Sequence, residues 1–375
     1  MADRSLDALV VTSLPNILYL TNFNGSSGIV VITGSRLHFI TDFRYVAAIS
    51  GTRGTPHECP NLGLVTVESS YEVALATLLL TLPTGSAASS ARVGFEAAHL
   101  SVARYRWLER ALGTSEKAPQ LVPVEGILER ARVRKDAYEL SVLREAARRL
   151  SAVTLAVFAD VRAGRTEREV AMSIDWRIRD AGFERSAFDT IVAAGPDAAL
   201  PHARPGDRKL SEGDLVVLDF GGVYDSYCVD LTRTVSVGRA SARAREVYGA
   251  VLTAHDLAIR AVRPGVSRFA IDGAARDSLA AAGMGDAFGH GTGHGLGIEV
   301  HEEPRISRRR TGVDTGAAAG PGESDEDAVG PGMVFTIEPG AYFPGWSGVR
   351  IEDDVLVTET GVEVLTDVTT DLLEI

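Results

Sequence analysis

A degenerate internal repeat constrains this chain more than any other feature. Val161-Arg162-Ala163-Gly164 returns as Val262-Arg263-Pro264-Gly265, and Ala181-Gly182 returns as Ala282-Gly283, each 101 residues later. Each pair of matches brackets one helical pattern and follows another. The strand-like run Leu218-Asp219-Phe220-Gly221 then has a counterpart in Ile337-Glu338-Pro339-Gly340, 119 residues later. The extra residues fall in Ser307–Val329, a low-complexity stretch rich in Arg, Gly, Ala and acid. The chain from about residue 124 onward therefore reads as two related helix-helix-hairpin halves with an inserted loop. If each half contributes carboxylates to one site, that site lies on a pseudo-twofold axis.

Five metal-ligand-type side chains sit in short, ordered runs of this region: Asp219, Asp230, His294, Glu338 and Glu352. Four carboxylates and one imidazole carry more anionic charge than one divalent ion needs, and they suit two hard or borderline cations side by side. A paired-metal site activates water and clamps a reacting carbonyl oxygen, which points to hydrolysis. Singly, each residue has a plainer reading. Asp230 could be a turn residue or a partner for Arg233, and Glu352-Asp353-Asp354 could be a solvated strand end. Cys228 reads as a small buried strand residue. Five such coincidences in order are harder to accept.

Hairpin register gives a local expectation. Leu215–Gly222 and Tyr227–Val237 are β-type runs. With Tyr224 and Asp225 at the centre of the turn, Asp219 and Asp230 become direct cross-strand partners, with Cβ atoms about 4.5–5.5 Å apart. Two carboxylates that close inside apolar strands are costly without a cation. Met333–Glu338 and Gly348–Thr358 read as a second strand pair around the loop Pro339–Ser347. Arg350 shares a face with Glu352 and is placed to restrain a ligand carboxylate. Glu338 is the candidate proton acceptor. The glycines around His290 and His294 argue for close-approach backbone rather than helix. His202 and His301 are then spare imidazoles for a scissile carbonyl or oxyanion.

The rest of the chain bounds the class. A length of 375 residues favours two domains. Ala8–Val11, Ile29–Thr33 and Leu37–Thr41 read as strands and Tyr71–Leu82 as a helix. Lys117–Pro123 reads as a link, and Glu125–Val157 as mostly amphipathic helix. The division is set at 1–123 and 124–375. A net charge of −12 argues against nucleic acid or an anionic membrane as partner. Cys59 and Cys228 alone imply no disulfide framework and a reducing compartment. The first residues lack a signal-type apolar core, and no apolar run approaches the roughly 18 residues of a membrane span. A cytoplasmic location is expected. Ser307–Val329 reads first as a solvated loop, and more sharply as a lid or oligomer contact.

Leu218–Gly221, Asp230-Leu231-Thr232-Arg233-Thr234, His290–Gly297, Val300-His301-Glu302, Thr336–Gly340 and Arg350-Ile351-Glu352 together resemble the pita-bread metallopeptidases of the aminopeptidase P and prolidase branch. The resemblance covers essentially the whole chain. It implies a two-domain α/β fold, with a creatinase-like N-terminal α/β domain and a C-terminal pita-bread α+β domain. It implies two divalent metal ions, with Mn first and Co or Zn as alternatives. Asp219 would chelate one metal, Asp230 and Glu352 would bridge, and His294 and Glu338 would complete the other. His202, His290 and His301 would face the substrate, and Arg350 would support a ligand. The implied reaction is hydrolysis between an N-terminal residue and a following proline, in di- or oligopeptides, by a homodimer. The alternatives are methionine-aminopeptidase-like specificity, a metal-free creatinase, or a non-catalytic peptide-binding relative. The filled ligand set speaks against the last two. A dipeptidase would need a cation for the proline carboxylate, with Arg44, Arg308, Arg309 and Arg310 as candidates.

Overall fold

The computed structural model describes residues 5–82, 90–113, 115, 118–309 and 327–375. Most of the Ser307–Val329 insert, Arg310 included, lies outside the described residues. The chain divides into two compact units, Met1–Ala131 and Arg132–Ile375.

The first unit is a mixed sheet with helices on both faces. Its elements are β1 (Ala8–Val11), α1 (Leu14–Thr21), β2 (Ile29–Thr33), β3 (Leu37–Thr41), α2 (Phe43–Gly51), β4 (Leu62–Thr66), α3 (Tyr71–Thr81), β5 (Arg92–Glu96), α4 (Val102–Leu112) and β6 (Gln120–Val124). The strand order is β4-β3-β2-β1-β5-β6. β1 shows why both faces are covered. Ala8 and Val10 enter one apolar cluster, and Leu9 and Val11 enter another. The two-residue period of a strand thus feeds two cores. Part of the segment expected as a link, Gln120–Pro123, belongs to β6 and pairs parallel to β5. α5 (Ile127–Arg132) follows.

The second unit is built from α6 (Ala137–Val157), α7 (Glu167–Asp180), β7 (Arg185–Ser186), β8 (Ile191–Ala194), β9 (Leu215–Tyr224), β10 (Tyr227–Ser236), α8 (Ala242–Ala261), α9 (Arg268–Ala281), β11 (Gly293–Gly295), β12 (Glu302–Ile306), β13 (Val334–Ile337), β14 (Gly340–Phe343), β15 (Ser347–Arg350), β16 (Asp353–Val357) and β17 (Val362–Val364). The helix expected over Glu125–Val157 is interrupted. Asp136 and Glu139 form a capping box that starts α6. Just before it, Lys135 N–H donates to the Gly332 carbonyl at 2.8 Å, which diverts the backbone from helical bonding.

The repeat is real at the level of backbone geometry. Gly164 and Gly265 have φ of 90° and 85°, and Gly182 and Gly283 have φ of 87° and 73°. In each half the first glycine lies two residues before a capping side chain, Thr166 for α7 and Ser267 for α9. The left-handed conformation is cheap only for glycine, so the repeated motif marks one turn used twice. Each helix pair then covers its own hairpin. α6 and α7 pack on Val216, Leu218, Phe220, Val229 and Leu231. α8 and α9 pack on Phe335, Ile337, Val355 and Val357. Burying each such side chain contributes roughly 1.5–3 kcal/mol. Alternation along the strands leaves Asp219, Asp230, Thr232 and Thr336 on the faces away from the helices.

The first hairpin differs from the expected register. Tyr227 pairs with Tyr224, so Asp225 and Ser226 form the turn, with φ of 45° and 69°. Two left-handed residues are what a tight type I′ hairpin needs. Asp219 therefore faces Thr232, and Asp230 faces Gly221. A register moved by two residues keeps every side chain on its face. The two aspartates remain on one surface, as diagonal neighbours rather than direct partners.

The second hairpin is interrupted at an informative place. Ile337 pairs with Asp353, and Gly340 with Arg350, so Glu338 and Glu352 face each other across the gap. Their N–H groups bond elsewhere: Glu338 to the Thr292 carbonyl at 2.7 Å, and Glu352 to the Thr232 carbonyl at 3.1 Å. The segment expected as the loop Pro339–Ser347 is itself mostly the β14–β15 hairpin.

Candidate metal centre

Asp230, His294 and Glu352 offer ligand atoms that all lie within 4.8 Å of one another, and all three are buried. They arrive from β10, from β11 and from the gap before β16. Glu338 Oε1 is 3.6 Å from His294 Nε2, and Asp230 Oδ2 is 4.0 Å from the same nitrogen. His294 Nδ1 is 3.2 Å from the Gly295 carbonyl, which can only accept. That places the proton on Nδ1 and leaves the Nε2 lone pair facing the carboxylates. Gly293 is required beside it. A Cβ there would sit 1.8 Å from the Thr336 carbonyl oxygen.

Asp219 is placed differently. Its Oδ2 accepts from Arg350 Nη2. The Arg350 guanidinium also donates to Thr232 Oγ1 at 3.2 Å, to the Tyr342 hydroxyl at 2.8 Å and to the Pro201 carbonyl at 3.4 Å. Thr232 Oγ1 in turn donates to Glu352 Oε2 at 2.5 Å. One buried arginine thus ties together two candidate ligands and the residue before His202. The Tyr342 hydroxyl lies 2.9 Å from His290 Nε2, and His290 Nδ1 lies 2.8 Å from the Gly291 carbonyl. By the same donor argument Nδ1 carries the proton and Nε2 accepts from Tyr342. Thr232 and Tyr342 were not singled out from sequence. Thr232 could have been, since it alternates with Asp230 on one strand face.

The electrostatics call for a cation. Burial holds Asp230 well above the ordinary carboxylate range, and Asp219, Asp354 and Glu338 add repulsion. Glu352 is raised by burial and then by Asp230 and Glu338. Glu338 is pushed up to about 7, by burial first and by Asp219, against the pull of Arg350. Burial, with help from His301, lowers His294 to about 3, so its imidazole is neutral. Asp230 Oδ1 is buried without a hydrogen-bond partner. Mutually repelling buried carboxylates, one of them with an unpartnered oxygen, beside a neutral imidazole lone pair form a donor set that fits divalent cations.

These groups open on a cleft of about 1010 Å³. His202, His290 and His301 all line it, as does Arg350. The His301 ring is 4.2 Å from that of His294, centroid to centroid. Phe188 and Ile191 supply apolar wall, and Arg204, Arg305 and Arg308 line the cleft as well. Of the arginines expected as carboxylate partners, Arg308 reaches the cleft. Arg309 pairs with Asp327 at 3.4 Å. Arg44, in the first unit, pairs with Asp42. Arg233 does not pair with Asp230. It turns to the opposite face and bonds Asp353.

The model of metallopeptidase family M24 matches residues 141–359, and that of the creatinase/prolidase N-terminal domain matches residues 1–134. A Pyrococcus horikoshii Xaa-Pro dipeptidase is 31% identical over 375 residues, covering 100% of this chain and 96% of its own. An uncharacterized peptidase of Bacillus subtilis, YqhT, is 36% identical over 96% of this chain and 94% of its own. Among solved structures, an Xaa-Pro dipeptidase from Bacillus anthracis superposes with a TM-score of 0.88 at 33% identity, covering 100% of this chain and 96% of that one.

Proposed function

This chain belongs to metallopeptidase family M24, with a creatinase-type domain before the pita-bread one, and on that footing we propose that it hydrolyses the bond between an N-terminal residue and a following proline, with dipeptides preferred. The observation that carries the reading is the buried convergence of Asp230, His294 and Glu352 on one point. Relatives whose names describe Xaa-Pro dipeptidases support the substrate class.

In this reading Asp219, Asp230, His294, Glu338 and Glu352 hold two divalent cations, Mn²⁺ first and Co²⁺ or Zn²⁺ as substitutes. Bound there, the cations polarise the scissile carbonyl and make water a nucleophile near neutral pH. The chain's own groups do the rest. Glu338, 3.6 Å from His294 Nε2 at the centre, would take a proton from the attacking water and deliver it to the departing proline nitrogen. Arg350 fixes the Asp219 carboxylate, and through Thr232 the Glu352 carboxylate. His202 and His301 meet the substrate carbonyl region, and His290 shapes the same wall through Tyr342. Proline offers no amide N–H, so recognition falls on its ring and its carboxylate. Arg204, Arg305 and Arg308 are cations of the cleft that could receive that carboxylate. This favours dipeptides over longer chains.

A homodimer in the cytoplasm completes the proposal. Among the described residues no helix is long and apolar enough to cross a membrane. The test is hydrolysis of Ala-Pro beside Ala-Pro-Ala with added Mn²⁺. Preference for the dipeptide supports the reading. Efficient release from the tripeptide would make the enzyme an aminopeptidase P. Activity on Met-Ala instead would move it to the methionine-aminopeptidase-like alternative.

A further inference from the structure

A buried charge cluster lies behind the turn that carries His301. Glu302 is 6% exposed at its side chain, Arg132 3% and Lys135 1%. Arg132 Nη2 donates to Glu302 Oε1, and Lys135 Nζ is 3.4 Å from Glu302 Oε2. The same Glu302 Oε1 accepts the Glu299 N–H at 3.0 Å, and Arg132 reaches the Glu299 carboxylate at 2.9 Å. The Gly297 carbonyl accepts the Cys228 N–H at 2.6 Å. Gly297 itself explains the closeness of the fit, because a Cβ there would lie 2.8 Å from Glu302 Oε2. Part of the glycine-rich run around His294 therefore serves the carboxylate of Glu302.

Such a cluster is a poor way to gain stability. Desolvation holds Lys135 below its ordinary value even with Glu302 opposing it. Apolar residues of similar volume often stabilise as well or better. What the cluster does offer is direction. It ties down Glu302 at the end of the turn Gly297–Glu302 and Glu299 in its middle, and His301 is the residue of that turn that faces the cleft beside His294. None of the three charged side chains lines the cleft.

We propose that Arg132, Lys135 and Glu302 are positioning residues that hold the His301 imidazole in register with the centre. This rests on His301 being a substrate-side group in the Xaa-Pro reading. A displacement of about 1 Å in such a group lowers turnover by roughly a hundredfold.

The test compares Glu302→Gln, Lys135→Arg and the apolar triple variant R132M/K135M/E302L with the wild type. Metal content, thermal midpoint, kcat and KM on Ala-Pro, and hydrogen exchange of the 297–303 segment are measured for each. E302Q is expected to keep its metal, to exchange faster over 297–303 and to lose about ten- to a hundredfold in kcat. K135R, which keeps the charge, stays within a few fold. The triple variant is expected to match the wild type in thermal midpoint and to stay slow. Recovery of kcat along with the thermal midpoint in the triple variant would overturn the proposal. So would unchanged exchange over 297–303 in E302Q. Should the wild type fail to cleave Ala-Pro, the substrate reading falls, and the exchange measurement still decides whether the cluster orders the turn.

Discussion

Glu352 and Asp353 are consecutive residues, each 2% exposed, with opposite electrostatic surroundings. Asp353 faces Arg233 Nη2 at 2.7 Å, the Thr366 hydroxyl at 2.5 Å and His255 Nε2 at 3.1 Å. Burial alone would raise it, yet Arg233 and His255 hold it below the ordinary carboxylate range. Glu352 faces Asp230, Glu338 and Asp219 across the centre, and lies well above that range. The strand alternation that separates them divides two kinds of buried acid. Behind the sheet, the carboxylate has a counter-charge built into the fold. In front, the buried Arg350 is taken by Asp219, so the charge that balances Asp230, Glu338 and Glu352 has to come from outside. The contrast distinguishes a structural ion pair from a metal site without reference to any relative.

The largest effects are expected on the front face. Glu352→Gln is expected to reduce metal affinity and turnover by more than about a hundredfold, while leaving the metal-free protein as stable as before, since it removes a carboxyl the fold disfavours. Metal analysis beside thermal unfolding in chelator checks both halves of that statement. Glu338→Gln is next, with kcat falling by about 10²–10⁴-fold through loss of the proton acceptor in a folded protein. Near-normal turnover would remove Glu338 from that role.

From the back the effect is on folding. Asp353→Asn leaves Arg233 buried with a weakened partner and is expected to cost about 3–5 kcal/mol, read by denaturant unfolding. Metal bound per folded molecule should be nearly unchanged. A loss of metal equal to that of Glu352→Gln would erase the distinction between the two faces.

The two faces also predict opposite pH dependence. Asp230, Glu338 and Glu352 have folded-state values above their unfolded ones, so in the metal-free protein these three groups bind more protons folded than unfolded. Their contribution to stability falls as pH rises from about 4.3, the unfolded glutamate value, through about 7, where Glu338 titrates. Asp353 is depressed, so its contribution is present above the unfolded value and is lost as pH falls through the folded one. His294, His290 and His301 are depressed and oppose the fall from the three acids below the unfolded imidazole value of about 6.5, so chelator-treated protein should lose thermal midpoint as pH rises above about 6.5, and metal-loaded protein should not. The smallest effect belongs to Tyr342→Phe. It removes one hydrogen bond each from Arg350 and His290, and should lower kcat/KM by less than about tenfold.

Much of this was legible in sequence because strand alternation and glycine chemistry are local. The repeat marks the paired turns at Gly164 and Gly265 through a conformation that only glycine adopts cheaply, and Asp230, His294 and Glu352 are singled out by their runs, while their convergence is visible only in the structure. The register of the first hairpin was not legible. Nothing in Tyr224-Asp225-Ser226 says which two residues take the left-handed turn, and the observed choice sets Asp219 opposite Thr232 rather than Asp230. The Arg350 network and the charge cluster at Glu302 were equally hidden. They join residues more than a hundred positions apart, with no spacing rule to connect them. The acids of Glu352-Asp353-Asp354 read as easily solvated as buried, because burial is decided by what packs on them.

On the front face Arg350 pairs with Asp219 and leaves Asp230, Glu338 and Glu352 short of the positive charge that divalent ions would supply. Calorimetric titration of chelator-treated protein with Mn²⁺ at pH 7, in buffers of different protonation enthalpy, tests it most directly. The account predicts about two ions per chain, with net proton release as the raised carboxyls ionise. Binding that is absent, or that releases no protons and survives Glu352→Gln unchanged, would contradict it.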